Sequence, residues 1–167
     1  VGSEMCIRDS CRATVQSSDF HGSGIKKQYL YKCQTGICGR FFWHRRVLRE
    51  FDLNAPSSPE NKIREQYLCE VLNIPTNLNQ RSVYVIKLSR GEDEYTDTVY
   101  VGETAHHPLR RYLQHLRGYK SGRKHVENRG KYLLSYEEGF KSIEDSQNRE
   151  KELANELGED YLVVGGH

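Results

Sequence analysis

Five residues in the second half of this sequence have types and spacings suited to work on a phosphate ester: Tyr84, Tyr100, Arg111, His115 and Glu150. Arg111 and His115 stand four positions apart, so a helix would place them on one face. A guanidinium is permanently charged and can grip two phosphate oxygens, and an imidazole exchanges its proton near neutral pH. Tyr84 and Tyr100 fall in two runs rich in β-branched and aromatic residues. On paired strands they would point to the same side and orient a water, or deprotonate it if their ordinary pKa near 10 were lowered. Around them, Lys120, Arg123, Lys124, His125 and Arg129, with Arg110 on the helix, offer phosphate contacts that do not read sequence. From Ala105 to Lys131 there are eight Lys/Arg and four His against the single acid Glu127, whereas Tyr132 to His167 holds three basic and nine acidic residues. A basic segment beside an acidic one fits a polyanion-binding surface next to a metal-attracting one.

The elements that must position these residues can be read from the pattern. Ser82–Leu88 (SVYVIKL) predicts a strand, Arg90–Asp97 a charged hairpin connection, and Thr98–Gly102 (TVYVG) the returning strand. His107-Pro108 opens a helix with Leu109, Tyr112, Leu113 and Leu116 as its apolar face, and Gly118 ends it. Tyr119–Gly130 reads as a basic loop and Tyr132–Leu134 as a short strand. Ser142–Gly158 is a second helix with Leu153 and Leu157 inward, and Tyr161–Val164 a last strand. Arg110 and Arg111 compete for the clamp. Arg111 is favoured because His115 lies one turn on, while Arg110 would face Gln114.

Taken in this order, the residues resemble the GIY-YIG nuclease family. Ser82-Val83-Tyr84 corresponds to its first triplet, with serine where the family has glycine, and Tyr100-Val101-Gly102 to its second. Leu109–His115 is similar to the family's helix bearing an arginine and, four residues on, a histidine or tyrosine. Glu150–Leu157 is similar to its metal-binding helix. The hairpin connection is longer than usual, and one extra residue separates Tyr100 from the helix arginine. The asparagine found some dozen residues past the glutamate has no counterpart in Leu162–His167, so the domain either lacks it or ends before it.

The resemblance implies an α+β fold with a small central antiparallel sheet flanked by helices. It also implies hydrolysis of phosphodiester bonds in DNA, rather than RNA, with Mg²⁺ or Mn²⁺ held by Glu150. A single carboxylate suits Mg²⁺, which keeps most of its waters. Tyr100 is the family-implied general base and His115 the chemically easier proton acceptor, and both remain open. The rival expectation is a nucleic-acid-binding module with the same fold and no catalysis.

The domain is expected over residues 81–167, preceded by a poorly defined basic extension with a short helix over 11–80. Residues 1–10 (VGSEMCIRDS) resemble a non-native, adapter-derived scar. Within the extension, Ser58 and Pro59 start a helix whose inward face reads Ile63, Tyr67, Leu68 and Val71. Cys33 and Cys38, with His44 and Cys11 or His21, could ligate zinc, but no second clean pair follows and free cysteines are the better reading. Mean hydropathy of −0.80 and 29% charged residues are polar for a globular domain but short of wholesale disorder, and no run nears the roughly 20 apolar residues of a membrane span. Without an apolar leader the expected compartment is the cytoplasm. Oligomeric state is not legible.

Overall fold

The computed structural model describes residues 30–32, 41–43, 45–89, 97–120, 126 and 129–165. Six strands form one sheet in the order β1-β2-β5-β3-β4-β6: β1 is Leu30–Lys32, β2 Phe41–Trp43, β3 Arg81–Leu88, β4 Thr98–Thr104, β5 Gly130–Phe140 and β6 Leu162–Gly165. Among the described residues three continuous α-helices flank it: α1 is Pro59–Val71, α2 Pro108–Leu116 and α3 Ile143–Leu157, and a 3₁₀ segment covers Arg45–Glu50. The expected α+β class holds. The sheet, however, is mixed rather than wholly antiparallel, because β6 runs parallel to β4 through Thr98↔Leu162 and Tyr100↔Val164.

Strand β3 is central and buried from Ser82 to Leu88. A strand covered on both faces need not alternate apolar and polar residues, which is why SVYVIKL reads as nearly continuous. Its one charge, Lys87, donates to the Leu88 carbonyl at 2.9 Å and lies 3.9 Å from Asp97. On one face Tyr84, Ile86 and Leu88 pack with Leu109, Tyr112 and Leu113 of α2. On the other, Val83, Val85, Val99 and Val101 meet Leu153, Ala154 and Leu157 of α3.

Helix starts follow the chemistry of their first residues. The Ser58 hydroxyl accepts from the Asn61 amide at 3.2 Å and the Ser142 hydroxyl from the Asp145 amide at 3.1 Å, each satisfying an orphan donor. For α2 the cap is His107, whose Nδ1 accepts from the Leu109 amide at 3.1 Å, and Pro108 follows in the first turn. The helix stops where Gly118 takes φ +81°, and Tyr119 N–H bonds back to the Gln114 carbonyl at 2.9 Å.

Two elements differ from expectation. Strand β5 runs for 11 residues rather than three, since its polar half pairs with the start of β3 through Tyr84↔Tyr136 and Arg81↔Phe140. A polar strand half facing solvent carries no apolar alternation to read. In α1 the buried residues are Asn61, Glu65, Leu68 and Cys69, while Ile63 and Tyr67 are 70% and 55% exposed. The helix is turned so that two polar side chains go inward, because both find complete sets of partners there.

Residues before the predicted domain share its core. Trp43, Val47, Phe51, Leu68, Leu72 and Ile74 lie in the same apolar cluster as Tyr84, Leu109 and Leu113, and Trp43 Nε1 donates to the Leu109 carbonyl at 2.9 Å. Residues 1–29, Cys33, Cys38 and His44 lie outside the described residues, as does the hairpin connection 90–96. Cys69 is a free, buried thiol pushed up to about 12 by burial, opposed by Arg110.

Candidate active site

The register of β3 and β4 builds the floor of the site. Tyr84 pairs with Gly102 and Ile86 with Tyr100, so the two tyrosines project from the same face one step apart. Their ring centres are 6.2 Å apart. A Cβ on Gly102 would sit 2.6 Å from Tyr84 Oη and 2.8 Å from its Cζ. The glycine of the second triplet is therefore required by the Tyr84 ring lying across it.

Helix α2 covers this floor. His115 is fully buried, and its Nε2 lies 2.8 Å from Tyr84 Oη. Its ring centre is 5.1 Å from that of Tyr100 in an edge-on arrangement. Burial, helped by the Arg111 charge, drops the imidazole from 6.5 to about 3, so it is neutral at physiological pH. A neutral imidazole has one donor and one acceptor nitrogen. Nδ1 has no hydrogen-bond partner among the described residues.

Arg111 lies on the same side of α2. Its guanidinium donates to Gln114 Oε1 at 3.1 Å, the Tyr119 carbonyl at 3.2 Å and the Lys120 carbonyl at 2.6 Å, tying the helix to the start of the basic loop. Burial raises the Tyr84 phenol well above 10, reinforced by Tyr100 and Glu150, while Arg111 pulls it back by charge and hydrogen bonding. Tyr100, only half-buried, is also raised chiefly by burial, with Arg111 opposing and Glu150 adding to the shift. Glu150 comes from α3, is buried, and its charge registers on both phenols. The five residues read from sequence thus converge.

Arg110 goes elsewhere. It is held at 2.8 Å by Glu65 of α1, about 100° around the helix from Arg111. Arg129 is turned onto the Ser89 carbonyl at 2.7–3.0 Å. Lys120 is exposed, with φ +47° and its ammonium 5.5 Å from the Tyr119 ring centre. Arg123, Lys124 and His125 lie outside the described residues. Sequence reasoning missed Gln114, buried on α2, and Glu65, buried against it. The only signal was polar residues at positions an amphipathic helix would give to apolar ones.

A sheet with paired strand tyrosines, covered by a helix bearing arginine and histidine and joined by a buried carboxylate from a second helix, defines a nuclease-type domain. Residues 80–161 match the family model described as the GIY-YIG catalytic domain. Comparison with curated proteins and with solved structures found no match. The family is one of nucleases, so the substrate class is nucleic acid. Among the described residues no group of three or more His, Cys, Asp or Glu is placed to hold a metal, and no helix is long and apolar enough to cross a membrane. Glu150, the buried carboxylate whose charge reaches both phenols, is the residue that could hold a cation there.

Proposed function

We propose that this protein is a divalent-metal-dependent endonuclease that hydrolyses phosphodiester bonds in DNA, with Glu150 holding Mg²⁺ or Mn²⁺. The observation that supports it most is the meeting of Tyr84, Tyr100, Arg111, His115 and Glu150 around one point of the sheet. When bound, the cation supplies charge compensation at the phosphoryl oxygens and at the leaving oxygen. Arg111 is the clamp: its hydrogen bonds to two loop carbonyls and to Gln114 leave it aimed at the phenols without rotamer freedom to lose on binding.

Of the two proton acceptors, Tyr100 is the better supported. His115 is sealed from solvent and neutral, and Nε2 is occupied by Tyr84. Its role is to share a hydrogen bond with the Tyr84 hydroxyl and so fix that phenol. Tyr100 is half-buried; burial raises its phenol, Arg111 opposes that rise, and a cation on Glu150 would oppose it too. Tyr100 deprotonates the attacking water, and Lys120 with the basic residues after it hold the flanking phosphates.

Nicking of supercoiled plasmid with and without Mg²⁺ tests this, comparing wild type with Glu150→Gln. Metal-dependent cutting lost in the variant is the expected result. Absence of cutting in both, with salt-sensitive DNA binding retained, would overturn the enzyme reading in favour of a binding module. Parallel assays on RNA decide the substrate.

A further inference from the structure

Glu65 is 2% exposed on a helix that lies outside the segment matching the family, yet it faces the helix that carries the site. It receives Arg110 Nε at 2.8 Å, Gln114 Nε2 at 2.9 Å and Arg117 at 2.9 Å. Arg110, Gln114 and Arg117 are spaced i, i+4, i+7, one continuous stripe of α2. Arg117 is itself fixed: its guanidinium lies 5.3 Å from the Phe51 ring centre and 4.8 Å from that of Tyr119, and it donates to the Pro56 carbonyl. Burial alone would raise the Glu65 carboxyl, but hydrogen bonds from Gln114 and Arg110 and the charges of Arg117 and Arg110 hold it below its ordinary value.

An ionised carboxylate only accepts hydrogen bonds, so the Gln114 amide must turn its NH₂ toward Glu65. That leaves Gln114 Oε1 facing the other way, where it accepts from Arg111 Nη1 at 3.1 Å. A directed chain results: Glu65 sets the Gln114 amide, and the amide sets the Arg111 guanidinium. We propose that Glu65 is a positioning residue for Arg111, acting through Gln114, so that the helix preceding the family segment is a working part of the site. This rests on the nuclease reading for its kinetic consequence but not for its structural one. Burying a carboxylate and two guanidiniums is costly. Groups that orient a site residue from behind typically change activity 10–100-fold when removed.

The test compares Gln114→Met and Glu65→Gln with wild type in steady-state plasmid cleavage and in ¹³C-tyrosine NMR titrations of the folded proteins. Gln114→Met keeps both Glu65 ion pairs and removes only the link, so it serves if Glu65→Gln fails to fold. In each folded variant kcat is expected to fall about 10–100-fold with KM for DNA little changed. With Arg111 released from Gln114 and held by the Tyr119 and Lys120 carbonyls alone, Tyr100 titrates at higher pH and the ascending limb of the kcat–pH profile moves up with it. A Gln114→Met protein with wild-type kcat and an unmoved Tyr100 titration would overturn the proposal, as would a loss of thermal stability alone. If wild type does not cut, the nuclease reading fails, and the NMR titration still decides whether Gln114 positions Arg111.

Discussion

Acid should destabilise this protein through His115, and the size of the effect follows from its burial. The unfolded chain takes up a proton on this imidazole as pH falls through 6.5, while the folded chain refuses it until about 3. Between those values the unfolded state binds more protons, so stability falls with falling pH. Each pH unit in that window is worth about 1.4 kcal/mol, or about 2 kcal/mol by pH 5 and roughly 5 kcal/mol over the whole window. The groups facing the ring are Tyr84, Tyr100 and Arg111. The phenols stay neutral throughout, and Arg111 stays charged.

His115→Gln keeps a hydrogen-bonding partner for Tyr84 and removes the titration. Urea unfolding of both proteins at about pH 7.5 and about pH 5 isolates the term. His106 and His107, whose pKa values are also lowered, chiefly by burial, contribute with the same sign to both proteins and drop out of the difference. Glu65 acts only below its ordinary 4.5. Wild type should lose about 2 kcal/mol more than His115→Gln between the two conditions. Parallel losses would refute a neutral, buried His115 and reopen it as the proton acceptor.

Two further substitutions probe how the site is framed. Gly102→Ala drives a methyl to 2.6 Å from Tyr84 Oη, and the ring is pinned by His115, so a loss of about 1–3 kcal/mol is expected on urea unfolding, with displaced Tyr84 resonances. A loss below about 0.5 kcal/mol would mean the ring has room to yield. Asn61→Ala removes an acceptor for the Asp52 amide at 3.0 Å and a donor to the Asp52 and Ala55 carbonyls at 2.8 and 2.9 Å. It should cost about 2–3 kcal/mol in chemical unfolding with the metal dependence of cutting unchanged. An unchanged unfolding midpoint would show that water replaces the side chain.

The half that matches the family was readable because its chemistry is local. Tyr84 and Tyr100 lie in strands whose β-branched neighbours declare the element, and pairing alone turns both phenols to one side. Pro108 and Gly118 bound α2, and a four-residue step ties Arg111 to His115. The first helix was misread for the opposite reason. Inward Glu65 depends on partners far along the chain, 45 residues away at Arg110 and 52 at Arg117, and inward Asn61 on the turn at Asp52 and Ala55 that precedes the helix. No periodicity within α1 contains that information. Apolar Ile63 and Tyr67 were given the core by default, and they lost it to side chains whose hydrogen bonds are completed elsewhere.

The adjacent arginines of α2 show where local reading ends and tertiary chemistry begins. Arg110 and Arg111 are chemically identical, and rotation by one helical position sends one to a buried carboxylate and the other to the phenols. A site arginine needs its charge available to a phosphate, so it cannot be neutralised by a carboxylate of its own. It needs orientation from neutral acceptors instead, and the groups around Arg111 fit this: an amide oxygen and two peptide carbonyls. Arg110 and Arg117 absorb the Glu65 charge, which lets Glu65 orient Gln114 without adding a carboxylate beside Arg111. Arg110 on α2 and Arg117 at its C-terminal cap, both compensated by Glu65, and a third arginine left positive on the next stripe, form one device. It delivers a rigid cation to a site that binds anions.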